Sequence, residues 1–427
     1  MIEGGQALLA SAYQKLNRPF CVTICRISAG GFALLTAPVL ARVLGPDGRG
    51  LVATASSVLL ICPLLLSLGL PTWVRRLAAE GCDLRGVAWA IRKVAGLALL
   101  PACMLALALP QLLLPGSGQV VQVVFAAAIV STPASIIWIC DVHMLLGRGD
   151  YLGYALLNLA PSITFAACVL GSALAGQLTV PLAIATLAAA NVLNALMVGF
   201  IIRPRRGPPR LPVGTLAKSS LPYYGAQLAQ AAAFRLDQAL IVALMGAQIA
   251  GLYSVSVTIS LIPVAFAQGL GAVAFRIAAG GDIDVIPMVR AASVVGFLLS
   301  GGLAAIVPFA VPLVFGADFV GSIPSVLIGL IGSAGLVFGY VACMCIAGQG
   351  RGKAMTSCQV LGTGVGIVGL VLASLGGGSA SWAACASAVG YWATALLSLY
   401  ALKVPFSSLM VRRNDFALIH RMFLGRS

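Results

Sequence analysis

Apolar runs of about 20 residues recur from one end of this chain to the other, each long enough as a helix to cross roughly 30 Å of hydrocarbon. No long hydrophilic insertion separates them. That pattern admits a polytopic membrane protein and little else. Composition agrees: 60% of the 427 residues are hydrophobic and 9% are charged, with a mean hydropathy of +1.04. A soluble domain carries roughly 25% charged residues.

Twelve spans are expected, at 20–44, 50–70, 87–114, 119–147, 151–175, 178–202, 221–246, 249–275, 290–315, 323–348, 354–376 and 379–402. Sorting the 26 Lys and Arg by loop orients them. Loops that follow odd-numbered spans hold only Arg42 and Arg49, while the other loops and the two ends hold 22, among them Arg75, Arg76, Arg92, Lys93, Arg203 and Arg351. Arg26 and Arg235 remain inside spans. This bias predicts a multi-pass protein of the cell (plasma or inner) membrane with both termini cytoplasmic. It also explains the net charge of +15 without a nucleic-acid partner. Lys15 and Arg18 precede an apolar run too long for a signal-peptide core, so the first span reads as uncleaved. Most of the 11 cysteines, such as Cys103, Cys168 and Cys385, lie in apolar spans as small hydrophobes, with no CxxC pair and no expected metal.

The Pro- and Arg-rich stretch RPRRGPPRLPVGTLAKSS (203–220) reads as a cytoplasmic linker. It separates an N-lobe of six spans (20–202) from a C-lobe of six (221–402), with cytoplasmic segments 1–19 and 403–427 at the ends. An even number of spans per half makes any duplication a parallel repeat. One is visible: residues 44–81 align with 245–281 across one single-residue gap, superposing Gly45 on Gly246, Gly50 on Gly251, Pro63 on Pro263, Gly69 on Gly269 and Arg76 on Arg276. The expected fold class is thus all-α, with about 12 transmembrane helices in two six-helix parallel repeats around a central cavity.

The seventh span contains AAAFRLDQALIVALMG (231–246), which puts Arg235 and Asp237 inside an apolar run. A charge at mid-bilayer costs roughly 2.5–3.5 kcal/mol on insertion scales, so it marks a site. On a helical wheel the polar residues of this span, including Tyr223, Tyr224, Gln227, Gln230, Arg235, Asp237 and Gln238, fall within one arc of about 160°. Arg235 and Asp237, two residues apart, flank that arc and are poorly placed to pair. The helix is expected to line a wet cavity. Arg235 could receive a pyrophosphate bidentately, or it could pair with a carboxylate on a neighbouring helix, Asp141 being one choice. Asp237 could be a counter-charge or a proton or Na⁺ coupling site, and Asp141 is read in the same two ways. Arg26 either snorkels to headgroups or stands at the cavity mouth. An interfacial place near the cytoplasmic end of the fourth span would also explain Asp141 and His143.

The stretches VLGPDGRGLVATASSVLLICPLLLSLGLP (43–71), FRLDQALIVALMGAQIAGLYSVSV (234–257) and VFGADFVGSIPSVLIGL (314–330) carry a family resemblance. The chain resembles the polysaccharide flippases, transporters of O-antigen and exopolysaccharide repeat units, within the multidrug/oligosaccharidyl-lipid/polysaccharide exporter superfamily. Its R-x-D at 235–237 and G-x-Y at 251–253 are similar to that family's pair in the seventh and eighth helices. The likeness spans about residues 20–402. It implies two six-helix bundles in a V, with helices one, two, seven and eight lining a cationic cavity. Polyprenyl-pyrophosphate-linked oligosaccharide would cross from the cytoplasmic to the outer leaflet by alternating access.

The expected function is therefore lipid-linked oligosaccharide flipping for cell-surface polysaccharide biosynthesis. Arg235, Arg26, Gln227, Gln230, Gln238 and Tyr224 would line the substrate cavity. No catalytic residue or cofactor is expected. Partners would be the lipid-linked substrate, membrane lipids, and a polysaccharide polymerase with glycosyltransferases. Two alternatives stand beside this one: a multidrug or small-cation antiporter of the same superfamily, and a non-transporting subunit of a glycan-synthesis complex.

Overall fold

A computed structural model describes residues 20–81, 84–202, 213–279 and 285–404. Fourteen helices and one 3-10 turn make up the described chain. They are α1 (Phe20–Leu66), α2 (Leu70–Ala79), α3 (Leu84–Leu97), α4 (Leu99–Leu113), α5 (Gln119–Val130), α6 (Thr132–Gly147), α7 (Tyr151–Leu174) and α8 (Val180–Ile202). Then follow α9 (Val213–Met245), α10 (Ala247–Ala279), α11 (Ile286–Phe315), the 3-10 turn (Ala317–Ser322), α12 (Ile323–Gly348), α13 (Gly352–Leu375) and α14 (Ala380–Leu402). No strand occurs among the described residues. Helix is what continuous apolar runs of span length adopt in lipid, because it satisfies each backbone N–H and C=O within the segment itself.

Ten helical stretches are long and apolar enough to cross a membrane, and α5 with α6, bent by 41°, make an eleventh. The protein is multi-pass. The twelve expected spans count the two arms of α1 separately, and the structure shows where they part. At Gly45 the backbone leaves the helix, with φ 65° and ψ −177°, so that α1 has two arms. The chain turns between α9 and α10 at Gly246, the residue aligned with Gly45, where φ is 87°. Positive φ at both places suits glycine and penalises any side chain.

Large apolar side chains point outward along the helices, as in Leu107, Leu174, Phe309 and Leu375, each more than three-quarters exposed. Hydrocarbon is their expected neighbour. Between helices the contacts are small. Along α12, Gly332, Gly335 and Gly339 lie against Ala388, Trp392 and Ala395 of α14, so close that a Cβ at Gly332 would come within 2.8 Å of the Ala388 backbone. Small residues at this spacing let membrane helices approach without a hydrophobic driving force.

The chain divides into two compact units, Met1–Thr36 with Leu59–Leu228, and Ala37–Val58 with Ala229–Ser427. The first packs around Leu70, Val74, Ile91, Ile136, Met144 and Leu216. The second has one core around Val289, Val337 and Val341, and another in which Ala37 and Ala41 of α1 meet Val255, Val311 and Phe319. The stretch of α1 around its bend therefore belongs with the C-terminal half. The close approach there is backbone to backbone: a Cβ on Gly50 would lie 2.1 Å from the Ala247 carbonyl oxygen, and one on Gly251 1.9 Å from that of Pro46.

Candidate functional site

That interlock of Gly50 and Gly251 fixes the second arm of α1 against the α9–α10 turn and sets a common depth. Arg235 precedes Met245 by ten residues, Thr258 follows Ala247 by eleven, and Ser57 follows Pro46 by eleven. At 1.5 Å per residue all three stand about 15 Å from the turn, which is near the middle of a bilayer. The interior of the second unit is polar at this level.

Gln238, 3% exposed, organises the layer. Its side-chain Oε1 accepts from Ser57 Oγ at 2.9 Å and from Arg235 Nη1 at 3.0 Å, and its backbone carbonyl accepts from Thr54 Oγ1 at 2.9 Å. Asp237 points elsewhere. One carboxylate oxygen accepts the Gln238 backbone N–H at 2.7 Å; the other accepts Tyr253 Oη, Ser387 Oγ at 2.8 Å and Tyr391 Oη at 3.4 Å. Four donors on one carboxylate leave it little unused acceptor capacity. Arg235 and Asp237 form no ion pair, as their spacing on the helix requires. Among the described residues, Arg235 makes a single hydrogen bond and stays half-buried.

Asp237 also faces a cavity of about 40 Å³ shared with Tyr340, Gln359, Thr363, Ser387 and Thr394. By the roughly 10–15 Å³ that one water needs, it holds a few water-sized occupants. Gln359 Oε1 and Thr363 Oγ1 are buried there without hydrogen-bond partners. An acidic oxygen and two open neutral oxygens around so small a space suit a hydrated proton or one small cation.

The predicted stripe is thus only partly assembled into one site. Arg235, Asp237 and Gln238 come together. Gln230 is half-buried in the same unit without joining the layer. Tyr224 and Gln227 lie on the part of α9 that belongs to the first unit. There the Tyr224 backbone packs on Gly69, and Gln227 Oε1 is buried without a partner. The side chain of Arg26 lies outside the described residues.

Asp141 takes the counter-charge role, one of the two expected of it. It is fully buried and is not Arg235's partner: both its oxygens are taken by the Arg92 guanidinium of α3, one at 2.7 Å. Arg92, counted above with the loops, lies inside α3 and reaches the buried carboxylate on α6. Arg49 is likewise no loop residue. It sits in the second arm of α1, 8% exposed, and donates to Thr258 Oγ1 at 3.2 Å.

Sequence reasoning missed Arg49, Ser57, Ser387, Tyr391, Gln359 and Thr363. For Tyr253 a signal existed. R-x-D and G-x-Y were recognised as a motif pair, and the structure gives the reason, since the tyrosine hydroxyl donates to the motif's aspartate.

This architecture is a helical membrane-transporter fold. Over 95% of this chain and 93% of the other, it superposes on the lipid II flippase MurJ in an inward closed conformation, with a TM-score of 0.74 at 13% identity. An outward-facing multidrug resistance MATE family transporter of the MOP superfamily gives 0.59 at 14% identity, covering 91% of this chain and 95% of that one. The Vibrio cholerae MATE transporter VcmN gives 0.58 at 13%, over 91% and 99%. No curated protein sequence matches the chain. The family described as polysaccharide biosynthesis protein matches residues 19–275, well over half of the sequence, and the chain belongs to it.

Proposed function

We propose that this protein flips polyprenyl-pyrophosphate-linked oligosaccharide from the cytoplasmic to the outer leaflet of the cell membrane by alternating access, for cell-surface polysaccharide synthesis. The observation that carries the reading is Arg235. A guanidinium at mid-membrane depth, partly buried and hydrogen-bonded only to Gln238 among the described residues, has no carboxylate within ion-pair distance there. Such a group cannot shed its charge, and a phosphate is the ligand its geometry fits. The family supports glycan chemistry, and the likeness to a lipid II flippase supports a lipid-linked cargo. In this reading the apolar tail stays in lipid while pyrophosphate and sugars meet fixed polar groups. Gln227, Gln230, Tyr224 and Arg26 line the sugar path, and the six-span lobes, 20–202 and 221–402, alternate around it with both termini cytoplasmic. A polymerase and glycosyltransferases work alongside.

Asp237 is the coupling group of this proposal, its cavity holding the proton or small cation whose movement drives the cycle. A drug-cation antiporter is the weaker reading. Its cargo would need a drug-sized site beside the carboxylate, and the cavity at Asp237 is far below the roughly 300–1,000 Å³ of such sites.

The test is a flipping assay with lipid-linked oligosaccharide in proteoliposomes. Arg235→Ala should abolish flipping with insertion intact, and Arg235→Lys should keep part of it. Full flipping by the alanine variant sinks the reading. Flipping by Asp237→Asn that still follows an imposed proton or sodium gradient removes Asp237 as the coupling group.

A further inference from the structure

Arg42 and Arg49 are the two basic residues on the wrong side of the charge bias, and the structure treats them differently. Arg42 is exposed and caps the end of α11, donating Nε to the Val314 carbonyl at 3.0 Å and Nη2 to that of Leu313. It is satisfied by a helix C-terminus, a normal place for a cation. Arg49 is not satisfied. It is more than nine-tenths buried, its Nε has no partner, and Thr258 Oγ1 is its one hydrogen-bond acceptor among the described residues. The described residues place no carboxylate within ion-pair distance of it. Its charge lies within electrostatic reach of Arg235, so the two guanidiniums repel.

Two arginines thus share the polar layer, and of their ten N–H donors two are used, one on Gln238 and one on Thr258. The one carboxylate of the layer is turned away into its own set of donors. A cluster with saturated acceptors and open cationic donors is completed by an anion. Desolvating like charges side by side is unfavourable unless something of opposite charge bridges them. A single phosphate is matched by one guanidinium fork; two forks match two linked phosphates.

We propose that Arg49 is the second guanidinium of the substrate site, and that with Arg235 it selects a pyrophosphate over a single phosphate. The inference rests on Arg235 being the phosphate receptor and adds a residue and a selectivity to that reading. Thr258 and Gln238 act as positioning residues, each holding one guanidinium by one hydrogen bond and leaving its remaining N–H groups for the anion.

The experiment uses the full chain in lipid nanodiscs, with inorganic pyrophosphate and inorganic phosphate as probes in calorimetric titration. Wild-type protein should prefer pyrophosphate. Arg49→Gln should weaken pyrophosphate about tenfold or more, as loss of a charge-assisted contact does, and leave phosphate nearly unchanged, so that the preference collapses. Arg49→Lys should fall between. Arg235→Ala should lose both anions. Because Arg49→Gln removes a buried uncompensated charge, its unliganded thermal midpoint should hold or rise. An Arg49→Gln protein that keeps the wild-type preference, whether or not its midpoint drops, overturns the inference and gives Arg49 a packing role; the reading of Arg235 then stands if Arg235→Ala has lost both anions. Wild-type protein that binds neither anion, together with unimpaired flipping by Arg235→Ala, overturns both.

Discussion

In the unit built on residues 59–228, Asp141 is fully buried and receives two nitrogens of Arg92. In the unit built on residues 229–427, Arg235 and Arg49 are held by one neutral oxygen each. Each is a charge placed where water is scarce, and the partners separate their roles. A guanidinium forked onto a carboxylate has spent its donors and its charge. Two guanidiniums facing neutral acceptors have spent neither. What counts for function is therefore the unused hydrogen-bonding capacity of a buried charge rather than burial itself.

The largest effect tests the sealed pair. Asp141→Ala leaves Arg92 buried and unpaired, which costs about 3–5 kcal/mol. A drop in thermal midpoint is expected, with flipping per folded molecule preserved. Replacing both partners, as Arg92→Met with Asp141→Leu, should recover most of the loss. By contrast Arg235→Ala should change stability by less than about 1 kcal/mol, because it gives up one hydrogen bond and relieves a repulsion. Should the two alanine variants lose stability equally, the contrast between spent and unspent charges fails.

Gly50→Ala comes next. The new methyl would stand 2.1 Å from the Ala247 carbonyl oxygen, and backbone cannot step aside as a side chain can. Overpacking of this kind costs typically about 1–3 kcal/mol. It would also push the second arm of α1 away from Gln238, so the Ser57 and Thr54 hydrogen bonds should weaken and pyrophosphate affinity fall. A matched control is Gly30→Ala, where a Cβ meets nothing within 4 Å. Equal effects at the two glycines would remove the interlock as the device that sets the depth of the layer.

The sequence carried the fold almost whole, because lipid enforces it: apolar runs of span length can only be helices, and Gly45 and Gly246 mark turns that glycine alone accepts easily. The Arg235 stripe was also legible, since a charge inside an apolar run is conspicuous. Arg49 was not, for it lies three residues past Pro46, where a loop was expected, and nothing local shows that its side chain reaches inward to Thr258. Gln359, Thr363 and Ser387 were hidden differently. Neutral polar residues in spans are common helix-to-helix contacts, and only their convergence around Asp237 from α13 and α14 distinguishes them. The partner of Asp141 was not legible, because Arg92 lies 49 residues away on another helix.

The smallest effect sharpens the comparison within one pair of residues. Arg42→Ala removes an exposed cation from the C-terminal carbonyls of α11, worth about 0.3–1 kcal/mol at an exposed helix end. Arg49→Gln, seven residues on, should move stability the other way or not at all. The unliganded protein in low salt is the sample to measure, since screening weakens the Arg42 contact and leaves a buried charge little affected. Raising salt should therefore erase the Arg42→Ala deficit and preserve any gain from Arg49→Gln. Were both substitutions to destabilise alike and respond alike to salt, the two arginines would be the same kind of surface cap, and the layer around Gln238 would hold one functional guanidinium instead of two.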